Sequence, residues 1–430
     1  MTRVIKVAVL AEEPIGWGSG KHYFPLILDG YTWKSGGRVY RFSTSYIFDR
    51  DILRGGLNTS NYDVLLVPGG GVGDGESVVK GFTFLPSVRR WKREVKRFIE
   101  SGGGYVGICG GTALLTGLDR GPLGKPTSFL ERVYAKSRVD ATCIDSYYEY
   151  LAFPLFYPFQ RNHPENIGAT GYVFSFAPGE TVDGKFIHTG GVPIDYVVSK
   201  DNPIFSDYSD KTIRMRWWGG PGLVIPSKVD REIKIIARYP SVDFSKTPGT
   251  SIKAWRYIGG LIGLTKAFKE ASNLVRMEKD SLVSIPLYTY YLAKPWEPTD
   301  KNIVLNFSDK PCMISEIYPN ENKGRILLCT AHPEYMIWWG GYIEEVEFDG
   351  ENSLARGFHR WREIDKLSRD AVEEITYTWW VVRRITAWVA KVPDDDLPPI
   401  ERREEDAERA RKLHSNIFWD GTLINQMKNI

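Results

Sequence analysis

The sequence predicts an α/β protein with a doubly wound, mostly parallel sheet, and three observations support this. Strand-like runs alternate with a helical run in the first part of the chain. The strand-like runs are continuously apolar, as strands covered on both faces are. Clusters of glycine and proline separate them. Such alternation is typical of parallel strands connected by helices that pack on both faces of the sheet.

The first elements follow one another at short spacing. "VIKVAVLAEE" is predicted to be a buried strand, "RVYRFSTS" a shorter strand, and "YDVLLVPGGG" a strand that ends at a proline and three glycines. Residues 86–101 are predicted to form a helix with basic residues opposite an apolar stripe, Val88, Trp91, Val95, Phe98 and Ile99. The glycines of "GGGYVGIC" end that helix and lead into another buried strand.

The remainder of the chain is less regular, although strands return in "TGYVFSFAPG", "REIKIIARYP" and a hairpin that leads into "GRILLCTAHPEY". A helical period marks the C-terminal region. We therefore divide the chain into the first part of the core (1–118), an aromatic-rich insertion (119–170), core strands (171–244), a second insertion (245–310), the last core strands (311–342) and a helical C-terminal extension (343–430).

Composition excludes several classes of protein. The 430 residues are 42% hydrophobic, and 56 basic residues nearly balance 53 acidic ones, so the sequence indicates no nucleic-acid or membrane partner. Four cysteines show neither metal-ligand nor disulfide spacing, which predicts a cytoplasmic protein without a metal or other cofactor. The N-terminal run is interpreted as a strand, not a signal peptide. Glutamine occurs only at Gln160 and Gln426, and a shortage of this thermolabile residue predicts a thermophilic source.

Cys109 is the candidate nucleophile. It lies in "YVGICGGTALL", where a buried strand turns at once into a helix-like run. Such a turn needs small neighbours, and Gly107 and Gly111 meet that need. A cysteine at the start of a helix is also favoured as a thiolate. The alternative is that Cys109 is a small buried apolar residue, and this segment does not decide between the two.

The candidate base is His332 in "GRILLCTAHPEY". Pro333 favours an extended backbone at His332, so His332 and Glu334 are expected on the same side of the chain, where the carboxylate can orient the imidazole. A second His-Pro-Glu begins at His163, but prolines interrupt the segment before it. Since the carboxyl ends of parallel strands share one sheet edge, we favour His332 as the partner of Cys109.

Glycines after two strands are candidate oxyanion donors. The backbone N–H groups of Gly70 and Gly71, in "VPGGG", and of Gly110 could together bind the charge that develops on a carbonyl oxygen. A plain glycine-rich turn would have the same sequence. No phosphate-binding pattern opens a helix in this chain.

The motifs "VPGGG", "GICGG" and "AHPEY", in this order, resemble the class I glutamine amidotransferase-like superfamily. Together with "MRWWGGPGLVIP" they look most similar to its group named for the N-terminal domain of biotin-protein ligases. The resemblance implies a flavodoxin-like core, a Cys109–His332–Glu334 triad after a nucleophile elbow, and an oxyanion hole from Gly70, Gly71 and Gly110. Ala113 stands where glutamine-hydrolysing members carry Gln or His, which argues against glutamine as substrate.

We therefore expect a Cys-dependent amide or acyl hydrolase or transferase that acts on a small-molecule substrate. Two alternatives stay open. One is a non-catalytic binding or scaffolding protein with the same fold, whose tryptophan pairs line a cleft or an interface between identical subunits. The other is a peptidase of the same superfamily. The sequence determines neither the substrate nor whether the chain forms a homo-oligomer.

Overall fold

The structure is a computed structural model, and it describes 2–11, 20–69, 86–118, 138–139, 167–170, 180–182, 185–187, 192–217, 222–225, 232–241, 251–257, 296–304, 307–318, 323–334, 343–344, 358–359 and 377–413. These residues include the strands β1 Thr2–Leu10, β2 Thr32–Ser35, β3 Arg38–Ile47, β4 Val64–Val67, β5 Gly104–Ile108, β6 Thr116–Leu118, β7 Arg138–Val139, β8 Ile167–Thr170, β9 Glu180–Val182, β10 Lys185–Ile187, β11 Val192–Val198, β12 Thr212–Trp217, β13 Gly222–Val224, β14 Ile233–Arg238, β15 Ser251–Tyr257, β16 Trp296–Val304, β17 Pro311–Tyr318, β18 Gly324–Cys329, β19 Ile343–Glu344 and β20 Phe358–His359.

Helices connect and cover these strands. They are α1 Gly20–Leu28, α2 Asp49–Leu53, α3 Pro86–Glu100, α4 Trp379–Val389 and α5 Glu404–Leu413. Short 3-10 helices lie at Cys109–Leu115 and Asp394–Asp396. Among the described residues, no helix has the length and apolar content needed to cross a membrane.

One ten-stranded sheet organises the protein, with the order β12-β11-β14-β17-β18-β5-β4-β1-β3-β2. The five strands β18, β5, β4, β1 and β3 are parallel neighbours, whereas the flanking strands pair antiparallel. Gly107 lies opposite both Val67 of β4 and Leu328 of β18. The carboxyl ends of β4, β5 and β18 therefore lie side by side at one edge of the sheet.

Both faces of the sheet are covered, because alternate strand residues enter two separate apolar cores. In β4, for example, Val64 and Leu66 join the first core and Leu65 and Val67 the second. Helices α1 and α4 contribute to the first core, and α2 and α3 to the second. The predicted α/β class with a large sheet is thus confirmed.

Helix α4 belongs to the core of the protein, since all eleven of its residues are buried. Two of them are arginines, and each has a carboxylate partner. Arg383 forms two hydrogen bonds with Asp406, at 2.7 and 2.6 Å, and Arg384 forms two with Asp207, at 3.0 and 2.7 Å. The C-terminal region, predicted to be a helical extension, holds β19, β20, α4 and α5 among its described residues.

Several sequence predictions coincide with described elements. The strands β1, β3, β4, β5 and β14, the helix α3 and the β17–β18 hairpin lie where the patterns indicate. The strand predicted after Thr170 and most of the two predicted insertions lie outside the described residues. Of the tryptophan pairs, Trp217, Trp379 and Trp380 are buried in the first core, and the others are outside the described part of the chain.

Candidate active site

Cys109 directly follows β5 and has a left-handed backbone conformation, with φ of 47°. Few residues other than glycine adopt this conformation, which is a strained one found often at functional sites. The residues after it form a 3-10 helix and not an α-helix. Two local hydrogen bonds stabilise the turn: Thr112 Oγ1 donates to the Cys109 carbonyl at 2.6 Å, and Tyr105 Oη donates to the Gly111 carbonyl at 2.7 Å.

Glycines on both sides of Cys109 permit this tight turn. A Cβ atom at Gly107 would lie 2.6 Å from the Gly111 carbonyl oxygen, and one at Gly111 would collide with the carbonyl oxygen of Val67. Both obstacles are backbone atoms, which cannot rotate away as a side chain can. The turn therefore requires glycine at 107 and 111 for lack of space.

His332 and Glu334 form a fully buried pair beyond the end of β18. The Nδ1 atom of His332 lies 2.7 Å from Oε1 of Glu334, and both side chains are 0% exposed. A carboxylate at this position accepts a hydrogen bond from Nδ1–H, and in that tautomer the lone pair of the imidazole is on Nε2.

Gly69 brings the two halves of the site together. A Cβ atom built on Gly69 would lie 2.5 Å from Cβ of Cys109 and 2.9 Å from Cε1 of His332. Since both atoms lie so close to one point, the cysteine and the imidazole are neighbours across the bare backbone of Gly69. A side chain at this position would separate them.

The backbone of the His-Pro-Glu segment is anchored at each of its three residues. The N–H of His332 donates to the carbonyl of Arg216 in β12 at 2.9 Å. The Pro333 carbonyl accepts from Oγ1 of Thr378 at 2.7 Å, and the Glu334 carbonyl accepts from Nε1 of Trp379 at 3.1 Å. The donors on the C-terminal side of the segment thus come from the start of α4.

A buried tyrosine and arginine also lie near the pair. Burial raises the pKa of Tyr23 well above its usual value, the charge of Arg216 opposes this rise, and the charge of Glu334 adds to it. Tyr23 and Arg216 are almost fully buried, at 0% and 1% exposure. Tyr23 therefore lies within electrostatic range of both Glu334 and Arg216.

The remaining described cysteines differ from Cys109. Cys312 and Cys329 lie inside β17 and β18 and are 0% exposed. Burial raises the pKa of both thiols, and Sγ of Cys329 donates to the Ala331 carbonyl at 3.4 Å. Neither residue has the left-handed backbone conformation of Cys109, and the raised pKa of both thiols disfavours the reactive thiolate, so neither is a candidate nucleophile.

The structure places Cys109, His332 and Glu334 together, and it places the backbone of Gly110 in the turn after the cysteine. Gly70, Gly71, His163 and Cys143 lie outside the described residues. Within the described part of the chain, no group of three His, Cys, Asp or Glu side chains could hold a metal ion.

Sequence reasoning missed four residues around the site: Tyr23, Arg216, Thr378 and Trp379. Each lies more than eighty residues from Cys109 and more than forty from His332 along the chain, and each reaches the site only through tertiary packing. The sole available signal was the apolar period of α4, which indicates a buried helix but not its position.

No known family profile matches the chain, and no curated protein matches it. Among solved structures, it is similar to PurLQS from Thermotoga maritima, with 15% identity, 55% of this chain and 74% of that chain covered, and a TM-score of 0.27. A glutamine amidotransferase from Thermotoga maritima is 11% identical, with 67% of this chain and 95% of that chain covered and a TM-score of 0.27. A ThuA-like protein from Bacteroides uniformis is 10% identical, with 76% of this chain and 81% of that chain covered and a TM-score of 0.31. Scores of this size do not establish a shared fold or activity.

Proposed function

We propose that this protein is a cysteine-dependent amide or acyl hydrolase or transferase, with Cys109 as nucleophile, His332 as general base and Glu334 as the residue that orients the imidazole. One observation carries the proposal. A cysteine with left-handed φ at a strand end shares the space above Gly69 with a histidine that is bonded to a buried carboxylate. A nucleophile close to a base that a carboxylate orients is the arrangement used in covalent acyl transfer.

In this mechanism His332 Nε2 takes the thiol proton as Sγ attacks the substrate carbonyl carbon. The tetrahedral intermediate collapses when the bond to the leaving amine breaks and the imidazolium returns the proton to the amine nitrogen. A thioester on Cys109 remains. His332 then deprotonates water, or another acceptor, which attacks the thioester and releases the acyl group, and the proton returns to Sγ.

The negative charge on the oxygen of the tetrahedral intermediate is stabilised by hydrogen-bond donors. Backbone N–H groups at strand ends are such donors, and they are already in place before the reaction. Gly110, directly after the nucleophile, is the donor that we assign within the described residues. Gly70 and Gly71 follow β4, whose end is aligned with that of β5, and we keep them as the other donors.

We also infer a doubly wound, flavodoxin-like core of the class I glutamine amidotransferase type, and within it the group named for the N-terminal domain of biotin-protein ligases. In chain order, the parallel strands β1, β3, β4, β5 and β18 have the spatial order 2-1-3-4-5, which is the flavodoxin-like order. The substrate is then a small amide or ester in the cytoplasm. Ala113 argues against glutamine, for the reason given above.

Limited alkylation tests the proposal. With substoichiometric iodoacetamide at neutral pH, we expect Cys109 to be modified well before Cys312 and Cys329, whose raised pKa keeps them as thiols. The His332→Ala variant should lose this preference. Peptide mass spectrometry gives the order of modification, and equal rates at all three cysteines, or an unchanged rate in His332→Ala, would refute the triad.

A second experiment identifies the chemistry. Intact-mass measurement after exposure to a glutamine-mimicking diazo-ketone and to a panel of acyl electrophiles should give a single adduct on Cys109. An adduct from the diazo-ketone would support glutaminase chemistry. We expect adducts from the acyl panel instead, because of Ala113.

The extreme burial of the triad favours one alternative, a binding protein that keeps the fold. Cys109 is only 1% exposed, and His332 and Glu334 are 0% exposed. A substrate needs a path to Sγ, whereas a binding or scaffolding role does not. An unreactive Cys109, together with a small molecule that raises the melting temperature, would favour this alternative.

A further inference from the structure

The two carbonyl groups that follow His332 are buried, and each receives a donor from a distant part of the chain. Pro333 accepts from Thr378 Oγ1 at 2.7 Å, and Glu334 accepts from Trp379 Nε1 at 3.1 Å, across 45 residues of sequence in both cases. A buried carbonyl without a donor is costly, so these bonds fix the course of the backbone on which Glu334 stands.

The donors themselves are held rigidly. Helix α4 begins at Trp379, is buried along its whole length, and is joined by Arg383 to Asp406 through two buried hydrogen bonds. At its other end, the Trp388 carbonyl accepts from Arg325 of β18 at 2.9 Å. Donors on an element that is tied at its middle and near its C-terminal end transmit its position to the groups they bind.

We propose that Thr378 and Trp379 are positioning residues, which hold the Glu334 carboxylate in register with His332 and so set the reactivity of Cys109. This inference rests on the proposed function. The C-terminal region thereby completes the active site, because the bond between His332 Nδ1 and Glu334 Oε1 depends on where α4 places the Pro333–Glu334 backbone. Both residues are 0% exposed and act through the histidine.

The test uses two conservative variants of the full-length protein, each with a matched control on the same helix. Thr378→Val removes the hydroxyl donor at constant shape, and its control is Thr386→Val. Thr386 is 0% exposed, and its hydroxyl has no hydrogen-bond partner among the described residues. Trp379→Phe removes the indole donor, and its control is Trp380→Phe. The Trp380 ring packs on Phe205 and Tyr208, with ring centroids 5.6 and 5.3 Å apart.

The readout is the second-order rate constant for alkylation of Cys109 by iodoacetamide, measured from pH 5 to 9 alongside the melting temperature. We expect Thr378→Val and Trp379→Phe to lower the rate at neutral pH by roughly tenfold, a loss within the range for a misplaced catalytic group. The midpoint of the pH profile should move upward in both, since the thiol loses the help of a correctly placed base. The two controls should keep the wild-type profile.

A double-variant cycle separates positioning from a general loss of structure. If Thr378 acts through His332, Thr378→Val should have no further effect on the rate in a His332→Ala background. Suppose that Thr378→Val and Trp379→Phe have the alkylation rates of their controls, whereas Cys109 of His332→Ala is alkylated slowly. This result would overturn the positioning role and leave the proposed function intact. If His332→Ala itself has the wild-type rate, the proposed function fails, and the positioning role fails with it.

Discussion

The two halves of the candidate site are built in different ways. On the nucleophile side, the turn at Cys109 is fixed by neighbours in sequence, through the hydrogen bonds of Thr112 and Tyr105 and the close packing of Gly107 against Gly111. On the base side, the His332–Glu334 segment is fixed by residues that lie far from it in sequence: Arg216, Thr378 and Trp379.

This difference shows which part of a site depends on local chemistry and which on the tertiary fold. The turn at Cys109 should keep its shape wherever β4 and β5 pair. The base side needs the C-terminal region in place, so damage to that region should affect the base first.

The largest effect is expected when the anchor of α4 is removed. Arg383→Met deletes a guanidinium that is 0% exposed and leaves the carboxylate of Asp406, 2% exposed, without its two bonds. Breaking such a pair costs about 3 to 5 kcal/mol. We expect a loss of this size in the free energy of unfolding, measured by urea denaturation.

The control for this variant is an arginine on the opposite face of the sheet. Arg97 of α3 pairs with Glu94 at 2.8 Å but is 70% exposed, so Arg97→Met should change stability by less than about 1 kcal/mol. A double variant, Arg383→Met with Asp406→Leu, should recover part of the loss because neither charge of this pair is left buried without its partner. Equal losses for Arg383→Met and Arg97→Met would contradict the assignment of α4 to the core.

Loss of Arg384, on the same helix, should destabilise the protein less than loss of Arg383. It also forms two hydrogen bonds with a carboxylate, but its partner Asp207 is 60% exposed and can be hydrated when the arginine is lost. Arg384→Met should therefore cost less than Arg383→Met, about 1 to 3 kcal/mol. Urea denaturation of the two variants under the same conditions tests the order, and a larger loss for Arg384→Met would contradict it.

The next largest loss of stability is expected from a change on the nucleophile side of the site. Gly111→Ala places a Cβ atom against the carbonyl oxygen of Val67, which belongs to the backbone of β4 and cannot turn aside. Forcing a methyl group into such a packed position costs about 1 to 3 kcal/mol. The matched control is Gly222→Ala, where the nearest obstacles are the side chains of Phe307 and Lys310 and not backbone atoms. A smaller loss at Gly111 than at Gly222 would show that the turn has room to adjust.

The sequence predicts the nucleophile side well because its determinants are local. An apolar run, a cysteine and glycines on both sides of it are enough to indicate a strand that ends in a tight turn. The parallel neighbour relation of β5 and β18 also agrees with the shared sheet edge that led us to favour His332. The geometry of the turn, however, is a 3-10 helix, which the pattern does not distinguish from an α-helix.

The base side could be predicted only as far as its own three residues. No periodicity indicates that Thr378 and Trp379 meet the carbonyls of Pro333 and Glu334, because that meeting depends on how α4 packs against the sheet. Arg383 and Arg384 interrupt the apolar run of α4 in the sequence, yet both are buried, because a carboxylate outside the helix pairs with each of them. Pairing of this kind is a property of the folded chain.

The smallest losses of stability are expected from removing single hydrogen bonds, and combining two such changes tests whether the two sides of the site are independent. Thr112→Val removes the bond to the Cys109 carbonyl on one side, and Thr378→Val removes the bond to the Pro333 carbonyl on the other. Each should lower the free energy of unfolding by about 1 kcal/mol, the usual net value of a hydrogen bond. If the halves are held separately, the double variant should lose the sum of the two within about 0.5 kcal/mol. A larger departure from additivity, measured by urea denaturation, would mean that the turn at Cys109 and the His332–Glu334 segment form one network, and the contrast between local and distant support would no longer hold.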